Sequence, residues 1–239
     1  MSCWALIPIK LPALGKGRLA GVLGPGERQR LIRAMLDRVL DALLGSSLID
    51  RVAIVTPAAN LTSRPVEVLP DCGLGLNGSV QQAALALADR GASELVVMHG
   101  DLPLARPEDI DELVLRGRQS GLALAPDRAR VGTNAVYLEA GSDFRFQFGT
   151  QSFPIHVTEA LRCGLVPAIV ERPGLAFDVD LPADLARFAR PLGQSLSQSH
   201  CHPLTARRDP PCRHFPTPHR NPMPWPTVHS ESLPTYARD

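Results

Sequence analysis

Three short runs of apolar residues decide the fold class of this chain. Trp4-Ala-Leu-Ile-Pro-Ile9, Arg51-Val-Ala-Ile-Val-Thr56 and Glu94-Leu-Val-Val-Met98 are rich in branched side chains and stay apolar instead of alternating with polar positions. Runs of that length and character mark strands buried on both faces, as in a parallel sheet covered by helices on either side. Stretches of helical spacing stand between them. Residues from about 26 to 44 carry charge on one face, Asn77 to Asp89 is Ala-rich, and Pro107 to Arg118 opens with a proline and with Glu108, Asp109 and Asp111 near its positive end. Shorter strand signals follow at Val66-Glu-Val-Leu69, Leu122-Ala-Leu-Ala125, Ala135-Val-Tyr-Leu138 and Ala168-Ile-Val170. The alternation predicts an α/β chain, a doubly wound three-layer αβα sandwich with a mostly parallel sheet.

A chain of 239 residues, 44% hydrophobic, can bury a full core. From about Leu192 onward Pro, His, Arg and Ser dominate and the periodicity disappears, so residues 1–191 are read as one folded domain and 192–239 as a disordered tail. The tail holds His200-Cys-His202, Cys212-Arg-His214, His219 and His229, ligands by type, but at spacings that match no zinc finger. The five cysteines form no CxxC pair and are read as reduced, mostly buried thiols. A net charge of +1 asks for neither nucleic acid nor an anionic membrane as partner. With no signal-peptide pattern and no apolar run near the roughly 18 residues of a membrane span, the expected location is the cytoplasm.

Acidic residues supply the first chemical signal. In Ala176-Phe-Asp178-Val-Asp180-Leu-Pro182 the two aspartates stand two apart, and a β-strand would place both on one face, roughly 7 Å from each other. Gly100-Asp101-Leu-Pro103 puts a third carboxylate directly after the strand 94–98, at the carboxyl end where open α/β sheets bind ligands. Three carboxylates converging there would repel one another unless a hard cation such as Mg²⁺ neutralised them, and Mg²⁺ commonly brings phosphate. Taken singly, Asp180 before Pro182 and Asp101 before Pro103 are equally well read as acidic caps and turns.

Basic residues supply the second. Lys10, Lys16 and Arg18 follow the first strand, in the loop that lies beside nucleotide phosphates in doubly wound folds. Neither a Walker pattern nor GxGxxG is present, which disfavours a P-loop ATPase and a dinucleotide-linked dehydrogenase. In Asp71-Cys-Gly-Leu-Gly75-Leu-Asn77-Gly78-Ser79, a helix starting near Asn77 would be capped by Asn77 or Ser79, and the same groups are suited to reading a ribose or base. Thr133 before one strand and Ser152 before a helix beginning near Pro154 would suit a small phosphorylated acid, together with the N–H groups of that helix entrance. His156 is read as a surface or packing residue, because nothing beside it in sequence orients its ring.

In their order, these motifs resemble the 2-phospho-L-lactate guanylyltransferase family of coenzyme F420 biosynthesis, which has a Rossmann-like, GT-A-like nucleotide-diphospho-sugar transferase fold. The likeness covers roughly residues 4–190. It is carried by Ile7-Pro-Ile-Lys10 with Lys16-Gly-Arg18-Leu19, Gly75-Leu-Asn77, Asp101-Leu-Pro103, Ala125-Pro-Asp-Arg128 with Gly132-Thr-Asn-Ala135, Phe148-Gly149 with Ser152-Phe153 and His156, and Asp178-Val-Asp180. The resemblance implies GMP transfer from GTP to a phosphorylated three-carbon acid, which is phosphoenolpyruvate, 3-phospho-D-glycerate or 2-phospho-L-lactate, with release of pyrophosphate. It also implies Mg²⁺ at Asp101, Asp178 and Asp180, and the GTP triphosphate at Lys10, Lys16 and Arg18. Asn77 and Gly78 would contribute to the nucleotide site, and Thr133, Gly149 and Ser152 would cradle the acid. A homodimer is compatible with this reading. Two departures stand out: His99-Gly100 replaces a Pro-Ala-like pair, and Gly78-Ser79 a small apolar pair. Other readings are a molybdopterin or sugar-phosphate nucleotidyltransferase of the same fold, and a catalytically silent nucleotide-binding module.

Overall fold

The computed structural model describes residues 1–9, 16–58 and 61–188; Lys10 and the Pro/His-rich tail lie outside the described residues. Seven strands form one sheet: β1 (Cys3–Pro8), β2 (Arg51–Thr56), β3 (Glu67–Pro70), β4 (Glu94–Met98), β5 (Leu122–Pro126), β6 (Thr133–Glu139) and β7 (Ala168–Ile169). Their order across the sheet is β3-β2-β1-β4-β6-β5-β7. Every pairing is parallel except those of β6, which runs antiparallel to both β4 and β5. The reversal follows from the short β5–β6 connection, which is a hairpin and not a crossover.

The helices are α1 (Pro25–Gly45), α2 (Gly75–Asp89), α3 (Pro107–Ser120), α4 (Ser152–Arg162) and the single turn α5 (Pro173–Ala176), and residues 182–188 are helical as well. Proline at the first position of α1 and α3 costs no hydrogen bond there. Acidic side chains satisfy the N–H groups just before them: Glu27 accepts from Gly24 at 2.7 Å and Asp109 from Arg106 at 3.2 Å. α1 and α3 bury Leu36, Leu40, Leu43, Ile110 and Leu113 against one face of the sheet. α2 and α4 cover the other, with Val80, Leu87, Ala160 and the aromatic series Phe144, Phe146, Phe148 and Phe153.

Four expectations need correction. α2 begins at Gly75, two residues before the expected start, with Leu74 in the cap position and no side-chain cap, and α4 begins at Ser152. Of the described cysteines only Cys3 is buried, while Cys72 is exposed and Cys163 partly so. Asp178 and Asp180 do not lie on a strand, because residues 177–180 follow α5 as extended chain with no ladder partner. Among the described residues no helix is long and apolar enough to cross a membrane.

Candidate active site

Because β1 and β4 are neighbours in the sheet, the loops after Pro8 and Met98 open side by side. His99 extends β4 by one bond, its N–H donating to the Asn134 carbonyl at 3.0 Å, and Asp101 comes two residues later. The segment 177–180 crosses above this loop, with the Val179 N–H donating to the Asp101 carbonyl at 3.3 Å. Phe177 and Val179 hold it down by packing into a small cluster with Met35 and Phe188. Burial of two such side chains contributes about 1.5 to 3 kcal/mol each. Asp178 and Asp180 alternate with them and stay half-exposed, so the period-two pattern survives without a sheet.

On the other side of the opening, Lys16 adopts a left-handed conformation (φ 56°) and starts a 3-10 turn, Gly17–Leu19, which fully buried Leu19 anchors. Its ammonium lies 2.5 Å from an Asp101 oxygen and 2.7 Å from an Asp180 oxygen. Arg18, three-quarters exposed, lies 3.6 Å from the second Asp180 oxygen. Burial alone would raise the Asp101 pKa, but the Lys16 ammonium, with help from His99, holds it below the usual carboxylate range. Lys16 is shifted the other way: burial disfavours its charge, and Asp101 and Asp180 more than restore it. Asp178 is pushed up by burial and by the charges of Asp101 and Asp180. One ammonium is shared by two aspartates, and the third carboxylate is left short of positive charge.

A hollow of about 210 Å³ lies here, floored by Pro8 and Ile9 and walled by Lys16, Met35, Asp101 and Asp180. A smaller one of about 80 Å³ adjoins Pro8 and Ile9 as well, walled by Val55, Asp71, Gly75 and Ser79. Gly100 has a packing reason, since a Cβ there would collide with the Ile9 side chain that forms the floor. Gly78 has one too: a Cβ would come within 2.6 Å of the Leu74 Cβ. Asn77 is not a cap. Its amide donates to the Phe148 carbonyl at 3.1 Å and accepts the Phe148 N–H at 2.7 Å, tying the start of α2 to the loop before α4.

Reversed β6 delivers its first residue, Thr133, to the same edge. The Thr133 N–H donates to the Ser152 hydroxyl at 2.9 Å, and the Thr133 hydroxyl lies 2.9 Å from His156 Nδ1. Gly149 takes φ 135°, which only glycine adopts freely, in the turn that leads to Ser152. The expected free amides of this helix entrance are already used: the Ser152 N–H donates to the Gly149 carbonyl and the Phe153 N–H to the Val131 carbonyl. His156 is not a surface residue. It is fully buried, and its Nε2 accepts the Gln147 N–H at 2.9 Å.

Among the described residues no three His, Cys, Asp or Glu side chains are grouped closely enough to hold a metal together. The two carboxylates that do meet, Asp101 and Asp180, meet on the Lys16 ammonium. Two hard oxygen donors aimed at one cation, with a third carboxylate nearby, fit the preferences of Mg²⁺.

The model of the family described as guanylyl transferase CofC-like matches residues 3–189. The chain belongs to that family. Guanylyl transfer in coenzyme F420 biosynthesis is the reaction of the CofC-like family, in agreement with the motifs. A phosphoenolpyruvate guanylyltransferase of Rubrobacter xylanophilus is 38% identical over 192 residues, which cover 78% of this chain and 93% of that protein. A 3-phospho-D-glycerate guanylyltransferase of Phenylobacterium zucineum is 34% identical over 203 residues, covering 81% and 93%. A solved nucleotidyl transferase from Methanothermobacter shares the fold, with a TM-score of 0.62 at 14% identity, covering 81% of this chain and 99% of that one.

Within this CofC-like site, sequence reasoning missed the residues that hold the acidic segment in place. Arg128 donates to Asp184 at 2.5 Å and lies 4.9 Å from the centre of the Phe177 ring. Asp184 also accepts the N–H groups of Leu181 and Asp180, reaching back to fasten the acidic segment. Asn134 donates to the Leu175 carbonyl and so fastens α5 to the sheet. The Arg128–Asp184 and Asn134–Leu175 partners lie 56 and 41 residues apart in sequence, so no local spacing signals them.

Proposed function

We propose that the protein transfers GMP from GTP to phosphoenolpyruvate in a Mg²⁺-dependent reaction that releases pyrophosphate, in the cytoplasm. The observation that carries the reading is the Lys16 ammonium between Asp101 and Asp180 at the mouth of the sheet, with Asp178 left undercompensated. The choice of acid rests on the relatives, since several at 33–38% identity bear the name phosphoenolpyruvate guanylyltransferase.

In this reading Asp101, Asp178 and Asp180 hold Mg²⁺, which when bound neutralises charge on the phosphates of GTP. Lys10, Lys16 and Arg18 bind the triphosphate. Arg18, exposed and only loosely paired, is free to swing toward it, and Lys16 exchanges carboxylate partners for phosphate ones. The nucleoside lies along the entrance of α2 at Asn77 and Gly78, next to the smaller hollow that Gly75 and Ser79 help to wall. Thr133, Gly149 and Ser152 hold the acid so that an oxygen of its phosphate faces the α-phosphorus of GTP. A bond forms between that oxygen and phosphorus as the bond to the bridging oxygen breaks and pyrophosphate departs. The attacking oxygen is already anionic, so no protein nucleophile or general base is required.

The test is to incubate the full-length chain with GTP, Mg²⁺ and each of the three acids, and to resolve the products by mass. Phosphoenolpyruvate should give a guanosine diphosphate-linked product and stoichiometric pyrophosphate, both abolished by a chelator. Product from 3-phospho-D-glycerate alone would correct the acceptor, and bound GTP without turnover of any acid would favour a silent binding module.

A further inference from the structure

The hydrogen bonds around His156 have a direction. Gln147 can only donate its backbone N–H, so His156 Nε2 must accept it and carry no proton. An imidazole with a bare Nε2 keeps its proton on Nδ1, and that N–H donates to the Thr133 hydroxyl oxygen. The same argument applies one step further on, where the Thr133 backbone N–H donates to the Ser152 oxygen. Both hydroxyls, each less than 4% exposed, therefore spend an oxygen lone pair inside the protein. Among the described residues neither hydroxyl proton is taken by an acceptor. A buried donor left over in this way costs free energy unless something brings an acceptor to it.

We propose that His156 is the positioning residue for the acid substrate: through Nδ1–H it commits the Thr133 hydroxyl to donate, so that Thr133 and Ser152 together present donors and select an anion. The inference rests on the acceptor site proposed above. His156 touches no substrate and acts only through Thr133. Its place is held by the Phe144 and Phe148 rings, whose centres lie 5.5 and 5.0 Å from its own. Phe148 is in turn fixed by Asn77, so the ring that orients the acid cradle is braced against the entrance of α2.

Two near-isosteric variants separate positioning from packing. His156→Gln places an amide oxygen where Nε2 was and keeps the bond from Gln147 but loses the donor to Thr133. His156→Asn keeps a donor near Nδ1 and leaves the Gln147 N–H unmatched. With the full-length chain and whichever acid it turns over, His156→Gln should raise the KM of the acid about tenfold while the KM for GTP stays within about twofold. His156→Asn should melt lower yet keep the acid KM within about threefold. Adding His156→Gln to Thr133→Val should raise the acid KM no further than Thr133→Val alone, as expected when one residue acts through the other. An acid KM raised equally by both His156 variants, or fully additive effects with Thr133→Val, overturns the positioning role. If Thr133→Val leaves the acid KM unchanged, the acceptor site itself is misplaced. If Thr133→Val raises it and His156→Gln does not, only the inference about His156 fails.

Discussion

Lys16 and Asp101, 85 residues apart in sequence, meet at 2.5 Å because neighbouring parallel strands deliver their following loops to one edge. The contact puts a cation between two of the three aspartates that the motifs single out. Asp101→Asn and Asp180→Asn should each lower turnover by at least about a hundredfold, since in the proposed metal site each removes negative charge that would hold Mg²⁺. Circular dichroism should still report a folded chain. Near-normal turnover in either variant would take that residue out of the metal site.

Lys16→Ala should weaken GTP before it weakens the acid. The substitution removes the ammonium from the proposed triphosphate site and touches neither Thr133 nor Ser152, so the KM for GTP should rise about tenfold or more. Initial rates with each substrate varied in turn check this. A larger effect on the acid would invert the placement of the two substrates.

Arg128→Ala should loosen the acidic segment. Burial would raise the Asp184 pKa, and its bond from Arg128 holds the carboxyl low. Without the guanidinium this buried carboxylate keeps only backbone partners and Phe177 loses its cover, a cost of about 1 to 3 kcal/mol. Chemical denaturation measures the loss. The same variant should need more Mg²⁺ for half-maximal rate, because Asp178 and Asp180 lie on the segment that Arg128 steadies.

Stability should fall in mild acid through His156. Burial and nearby His99 push its pKa down to about 4, against a weaker opposing pull from Glu159, whereas in the unfolded chain it stays near 6.5. As pH falls the unfolded state takes up this proton first. Stability is therefore lost between about pH 6.5 and pH 4 and not above that window, to a limit of roughly 3 kcal/mol. Urea melts at pH 7 and pH 4.5 should show the drop, and His156→Gln should flatten it. An unchanged slope in the variant would assign the loss to other groups.

The strands and most helices were legible because each follows from local physics: continuous apolar runs for β1, β2 and β4, and Pro107 with its acidic neighbours for α3. Asp101 could be placed at a strand end by the same logic. What sequence could not supply was direction across space. A strand reading of Asp178 and Asp180 is wrong about pairing and right about alternation, because Phe177 and Val179 are buried against Met35 of α1 and Phe188 and not by a neighbouring strand. Sequence offers Asn77 both as a cap, the commonest local use, and as a reader of ribose or base, but its amide is bonded to Phe148, 71 residues away. His156 gave no local sign at all, as both of its ring partners come from outside its own helix.

The hairpin that turns β6 around has a consequence for how such enzymes diverge. Thr133 reaches the edge from a strand running against the others, and Gly149 and Ser152 come from the loop and helix after it. The proposed acid cradle is thus one continuous stretch of chain that begins and ends on the far side of β4 from β1 and β2. The exposed loop at 127–132 can change composition without altering the register of the strands beneath Lys16 and Asp101, whereas 140–151 is pinned by the buried rings of Phe144, Phe146 and Phe148. A lineage can in this way exchange one small acid for another while the chemistry of phosphoryl displacement is inherited intact.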